Sequence, residues 1–438
     1  MRILILSIFL LVFTSCNDKF TTAKERQITF TEKNHALDNN DNFSPDNKFL
    51  CYDTRGTVFN ESLDNTKSIE IVEIATGKET IIWNPPSITG NQAAPGLGAT
   101  SYHPIENKLI FISGPSIEEV EKRGFYSQKN RTALVVSTDG LQNVSYPDLR
   151  DVESEITPLG AHRGGTHRHE YSKKGNRIGF TYDDYLCTDY DRTIGVLFEC
   201  NYAPKGATHC FSLIVKPAKK GQSKAGEIEK ATGDSWVDSV GTKRAFIGKV
   251  RAENGEDYEN SLFVAELPDY IESIKLNSGT KSTYPEAMDG VKIRRLTNSK
   301  FADGIVRGSN DGKYIAYFDR DSSGVKQIFI IPVDGSDMLD DIRFKPHQVT
   351  FNNSDASALR WHPTGKYIFY IVSGNIAVSR LGKGAIENRT TFLTNDDKKR
   401  EHLVVSHDGK TLAYTIKVTG KDKQEFRQIF ILDFNPIQ

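Results

Sequence analysis

The residues best suited to chemistry cluster in "RGGTHRHEYSKKGNRIGFTYDDYLC", Arg163 to Cys187. His167 and His169 stand two apart, a spacing that places both imidazoles on one face of a β-strand. Imidazole gives or takes a proton near neutral pH, so the pair suits general acid–base work. Tyr185, later in the same stretch, is a candidate acid or partner base. Arginines that could grip carboxylate or sulfate with a two-pronged guanidinium recur elsewhere: Arg55, Arg251, Arg307, Arg320 and Arg360. Which of these can meet depends on the scaffold.

The scaffold is written as a repeat. A turn, then Lys or a similar residue, then a short alternating apolar strand recurs seven times. The copies include "SPDNKFLCYDTR" from Ser44, "YSKKGNRIGFTYDD" from Tyr171, "SNDGKYIAYFDR" from Ser309 and "SHDGKTLAYTIK" from Ser406. Each is followed by a second β-rich run, and several by a third, such as "KIRRLT" or "RTTFLT". Short strands, Gly/Asn/Asp turns and little 3.6-residue periodicity predict an all-β chain. Four strands per unit, seven times over, predict a seven-bladed β-propeller of antiparallel blades. Equivalent positions at Lys48, Lys108, Asn176, Lys243, Lys313, Lys366 and Lys410 are 60, 68, 67, 70, 53 and 44 residues apart. A bare blade needs about 40–45 residues, so insertions load the N-terminal five blades. "ITFTEKNH" from Ile28 is the segment expected to join the last blade and close the ring.

On this scaffold "GTHRHEY" is the innermost strand of blade 3, and His167 and His169 face the channel or the neighbouring blade. The next strand returns to the same rim, which predicts that His167 and Tyr185 meet at one mouth. Arg55, Arg251 and Arg320 close second strands. Asn39, Asp41, Trp236, Arg307, Arg360 and His402 lie on or near innermost strands. Such a funnel suits an anionic sugar chain, with Asn39, Arg55, Trp236, Arg307, Arg320 and Arg360 as contacts. Plainer roles compete: the histidines can satisfy local hydrogen bonds, the arginines can form inter-blade ion pairs, and Trp236 can pack. His103, His362 and His407 occupy the repeat turn and read as structural.

Net charge is −1 over 438 residues, which gives no reason to expect a nucleic-acid partner. The opening "MRILILSIFLLVFTSC" is a basic residue, an apolar run and a small-residue boundary ending at Cys16. It reads as a signal peptide over residues 1–15, too short to span a membrane comfortably, and resembles a bacterial lipoprotein signal with Cys16 lipidated. Residues 16–27 then form a tether and 28–438 the propeller. The expected location is the cell envelope, lipid-anchored, with the membrane touched through that lipid alone, and the chain a monomer.

Four further cysteines are Cys51, Cys187, Cys200 and Cys210. Cys187, Cys200, His209 and Cys210 offer three sulfurs and an imidazole, enough for a structural zinc. A disulfide among Cys187, Cys200 and Cys210 is the alternative. Adjacent His209 and Cys210 point opposite ways on a regular strand. In either case the segment from Cys187 to Cys210 would be pinned as an insertion beside the funnel. No organic cofactor is implied.

The "SPDNK" and "SNDGKYIAYFDRD" units resemble the TolB-type propeller repeat over most of the mature chain. "NHALDNNDNFSPDNKFLCYDTR" and "RGGTHRHEYSKKGNRIGFTYDD" look like a group of secreted bacterial propellers similar to propeller-type polysaccharide lyases, such as ulvan lyases and, more distantly, oligogalacturonate lyases. The resemblance implies β-elimination on a uronate-bearing glycan. That reaction needs a neutralised carboxylate, a base and an acid. His167 would be the base, Tyr185 the acid or partner base, Arg251 the neutraliser, and His169 an orienting group. Two alternatives are a non-catalytic TolB-like envelope propeller that binds glycan or protein, and a glycoside hydrolase using Asp183 and Asp184.

Overall fold

The recurring Ser-x-Asp turn explains why each unit starts a strand where it does. At Ser309 the hydroxyl donates to Asp311 (2.7 Å) and accepts from the Tyr314 amide (3.0 Å), while the Lys313 amide donates to Asp311 (3.2 Å). The same Ser-to-Asp bond, 2.7 Å each time, recurs at Ser44–Asp46 and Ser406–Asp408. These side chains bond their own backbone and fix a tight reversal. The apolar run that follows then pairs at once with the preceding strand.

The computed structural model describes residues 20–22, 24–37, 41–56, 66–140, 143–271, 275–382 and 389–436. Seven antiparallel sheets form the ring. Blade 1 is built from Phe49–Asp53, Ile69–Glu73 and Glu79–Trp83, with a Phe43–Leu50 bridge at the innermost place. Four-stranded blades follow: blade 2 begins at Leu97–Tyr102, blade 3 at Gly164–Tyr171 and blade 4 at Ile228–Trp236. Blades 5, 6 and 7 begin at Asp303–Gly308, Ala356–Trp361 and Arg400–Val405. Within the described residues the helices are single short turns, such as Val120–Arg123, and no helix is long and apolar enough to cross a membrane.

Alternating apolar residues on both faces of each sheet bury against the next blade. One hydrophobic cluster fills each junction: Phe246 with Phe198 between blades 4 and 3, for example, and Ile429 with Leu50 between blades 7 and 1. The ring closes where Arg26–Gln27 and Phe20–Thr22 pair with the final strand, Glu425–Pro436. Closure therefore starts inside the stretch read as a tether and continues into the expected "ITFTEKNH", where the Ile28 amide donates to the Ile429 carbonyl (2.9 Å) and the Ile429 amide to Thr29 Oγ1 (2.8 Å). Glu25 locks it, accepting from Arg400 Nε (2.8 Å) and the Tyr414 hydroxyl (2.7 Å).

One irregularity repeats around the ring. The innermost strand slips register at Gly98/Ser101, His167/Glu170, Thr232/Ser235, Asp303/Arg307, Ser357/Arg360 and Glu401/Val404. The first residue inside each bulge is left-handed: Ala99 (φ 53°), Arg168 (59°), Gly233 (65°), Gly304 (71°), Ala358 (53°) and His402 (56°). For a residue with a side chain that backbone costs roughly 1–3 kcal/mol. Bulges re-aim side chains next to functional sites. Here the bulges of blades 3 to 7 turn Arg168, Gly233, Gly304, Ala358 and His402 toward one cavity.

Candidate functional site

Where the innermost strands begin, the ring opens into a cavity of about 1190 Å³ walled by blades 3 to 7. Its lining carries Arg168, Arg192, Lys230, Lys249, Lys326, Arg360, Lys399 and Arg400 against only Asp303 and Glu401. With a whole-chain charge of −1, this positive potential is local to the funnel. Some of it is balanced: Arg192 pairs with Asp183 (2.9 Å), Arg400 with Asp396 (2.8 Å) and Lys326 with Asp303 (3.3 Å). Lys230, Lys249 and Lys399 have no carboxylate partner among the described residues. Lys249 instead sits 3.7 Å from the centre of the Tyr258 ring. The far end of the channel is bridged by Lys173, which donates to Asn310 (2.7 Å), and by His407, which donates to the Phe43 carbonyl (3.2 Å).

His167 lines this cavity with its ring Nδ1 3.2 Å from Thr181 Oγ1. Burial holds the imidazole well below its ordinary pKa, and Arg131, Arg192, Arg168 and Arg55 add to the effect. The ring is therefore uncharged at physiological pH, and the same depression weakens it as a proton acceptor. His169 does not share its face. The bulge inserts Arg168 between the two histidines, so Arg168 enters the cavity and His169 turns into the junction, buried against the Phe180 ring at 6.4 Å. Burial pushes His169 down to about 4; Asp148 opposes the shift, and Arg131 and His162 reinforce it. The two-residue spacing misleads here because it assumes an unbroken pleat.

Other expected contacts are engaged elsewhere. Tyr185 lies past Asp184, four residues beyond the Thr181 that pairs with His167. That is about 13 Å along the strand, and Tyr185 is 49% exposed with the Arg150 guanidinium over its ring. It is a rim residue, not a partner of His167. Arg251 is buried and bonded to Glu229 (3.1 Å) and the Glu256 carbonyl, so a substrate carboxylate would compete with Glu229 for it. Arg55 forms a two-pronged pair with Asp53 (2.6 and 2.8 Å). Arg320 is exposed outside the cavity. Trp236 is a packing residue whose indole N–H donates to the Glu170 carbonyl of blade 3 (3.0 Å). Trp361 repeats that device onto the Arg307 carbonyl (2.9 Å). Asn39 and Cys16 lie outside the described residues. Of the arginines named from sequence, Arg360 lines the cavity and Arg307 is buried beside it.

The hydrolase carboxylates are also committed. Asp184 accepts from Arg163 (2.9 Å), the Tyr182 hydroxyl (2.8 Å) and two backbone amides, while Asp183 holds Arg192. The zinc ligands do not converge. The segment read as an insertion contains the third strand of blade 3, Thr193–Phe198. Cys187 precedes that strand and Cys200 follows it, leaving about 20 Å of extended chain between them. Cys200 and Cys210 form a disulfide at the end opposite the mouth. Cys187 is a buried free thiol 3.6 Å from Arg163, and His209 bonds Thr208 (2.8 Å).

Arg168, Lys230, Lys249, Lys399 and Arg400 were not singled out by sequence. A signal existed: small residues at the equivalent bulge positions, Ala99, Gly233, Gly304 and Ala358, make Arg168 and His402 the exceptions.

Fold and site together define the class: a seven-bladed β-propeller with a cationic funnel at one end of its channel. The chain belongs to the family of the uncharacterized protein YidR of Escherichia coli (strain K12), with which it is 30% identical over 424 residues, 89% of this chain and 94% of that protein. Residues 96–209 match the family described as "Protein of unknown function (DUF3748)". Among solved structures, TolB from Acinetobacter baumannii aligns with a TM-score of 0.38 at 12% identity, over 89% of this chain and 80% of that one. The propeller assignment rests on the blades themselves.

Proposed function

We propose that this protein binds an acidic oligosaccharide or polysaccharide end in the funnel. The observation that carries the reading is the excess of unpaired lysines and wall arginines around a cavity of about 1190 Å³. That is large for a small-molecule pocket, about 300–1,000 Å³. Guanidinium and ammonium groups recognise carboxylate and sulfate, while Leu37, Ile247 and Phe318 supply apolar wall against which sugar faces can lie. A panel of acidic and neutral oligosaccharides tests this. The acidic members are expected to bind, and Lys249→Gln with Arg360→Gln to weaken them. Equal binding of neutral members contradicts it.

A second reading, β-elimination, is favoured by one observation: the His167 imidazole and the Arg168 guanidinium stand side by side in the cavity wall. His167 would take the proton and Arg168 would neutralise the uronate carboxylate. Among the described residues no tyrosine lines the cavity, so a leaving-group proton would come from solvent. Absorbance of an unsaturated product that disappears in His167→Ala supports this reading, and its absence across uronate polymers removes it.

An anchor at Cys16 would orient the molecule. Phe20–Thr22 joins blade 7 at Phe434–Pro436, the end opposite the mouth. A lipid four residues earlier would leave the funnel facing away from the membrane.

A further inference from the structure

Three arginines from three blades gather at the base of the cavity wall. Arg168 occupies the bulge of blade 3, while Arg307 and Arg360 are the first residues to rejoin register after the bulges of blades 5 and 6. Arg168 and Arg360 line the cavity. Arg307 is 4% exposed, and none of its three guanidinium nitrogens has a hydrogen-bond acceptor among the described residues. Its charged neighbours are Arg360 and Arg168, which repel it, and Glu170 and Asp41, which attract it. Glu170 is already held by Arg244 (3.0 Å) and Ser235 (2.8 Å). Asp41, which burial raises to about 6, attracts Arg307 through space and makes no hydrogen bond to it. A buried guanidinium with its donors unmet is costly, and the fold places this one against two more.

We infer that Arg168, Arg307 and Arg360 form a subsite for a tetrahedral oxyanion, a phosphate or sulfate group, at the floor of the funnel. The inference rests on the funnel-binding reading and sharpens it by naming the group that enters first. Guanidinium forks match the paired oxygens of such a group. A lone carboxylate brings one charge and two oxygens to three cations; phosphate or sulfate presents more oxygens, spread in three dimensions.

Calorimetric titration with inorganic phosphate, inorganic sulfate and acetate tests the subsite in the wild type, Arg307→Met and Arg360→Gln. Wild type is expected to take phosphate or sulfate in preference to acetate. Arg307→Met should lose about ten- to hundredfold in that affinity, yet unfold at a higher temperature than wild type without anion, because its unpaired buried charge is gone. Should Arg307→Met not fold, Arg360→Gln carries the test and must lose at least about tenfold. Acetate binding as tightly as phosphate and sulfate, or unchanged affinity in the folded variants, overturns the subsite. A sulfated and a phosphorylated monosaccharide then separate the two sources. Acidic oligosaccharides binding where the inorganic anions fail would sink this subsite and leave the funnel reading intact; the reverse pattern would sink the funnel reading alone.

Discussion

Replacing His169 by glutamine should remove a defined part of the protein's acid sensitivity. The imidazole is fully buried and burial holds it at about 4, against 6.5 in an open chain. Above pH 6.5 it is neutral in both folded and unfolded states. As pH falls below that value the unfolded chain gains a proton that the folded protein refuses, so stability declines. The loss ends near pH 4, where the folded form protonates too. A gap of that size corresponds to about 3 kcal/mol. Urea unfolding of wild type and His169→Gln, followed from pH about 7.5 to about 4.5, gives the two curves. Lost packing lowers the variant at every pH, so the informative quantity is the difference between the curves, which should narrow by about 3 kcal/mol as pH approaches 4. His167, also depressed, titrates in both proteins and cancels. Parallel curves would refute the claim that the bulge buries His169 as a neutral group.

Three further outcomes follow from the same geometry. Cys200→Ser with Cys210→Ser opens a loop of sequence separation 10 and should reduce unfolding free energy by about 3 kcal/mol in urea titrations, by loop entropy. Gly179→Ala places a methyl 2.0 Å from Arg244 Cζ; displacing Arg244 from Asp234 and Glu170 should cost about 3–5 kcal/mol, read as a lowered thermal midpoint. Lys230→Gln with Lys249→Gln should weaken acidic-ligand binding by about threefold to tenfold and flatten its salt dependence, since these half-buried charges in an open funnel act mainly through screened attraction.

The ring was legible because its cause is local. Ser309, Asp311 and Lys313 fold their own turn, and the same chemistry at Ser44 and Ser406 announces every blade that uses it. His167 was likewise readable as a wall residue, since a histidine on an innermost strand has few other places to face. What failed was the step from strand to side-chain direction. A period of two sends His169 with His167, and only the bulge, a tertiary feature, separates them and presents Arg168 instead. The pairing of Arg251 and Arg55 was hidden for a related reason. Their partners are carboxylates of the protein, and Glu229 lies on another strand, where spacing in sequence says nothing about the pairing. For the cysteines the disulfide alternative holds, between Cys200 and Cys210, while the zinc set is split because Thr193–Phe198, a full strand, lies inside the apparent insertion.

The central claim is that the funnel recognises negative charge on a saccharide-sized ligand. Titration of the wild-type protein with acidic and neutral oligosaccharides of equal length, at low and at high salt, tests it most directly. Binding of the acidic ligand alone is expected, with affinity that falls as salt rises. Neutral and acidic ligands binding equally, or an acidic affinity indifferent to salt, would contradict it.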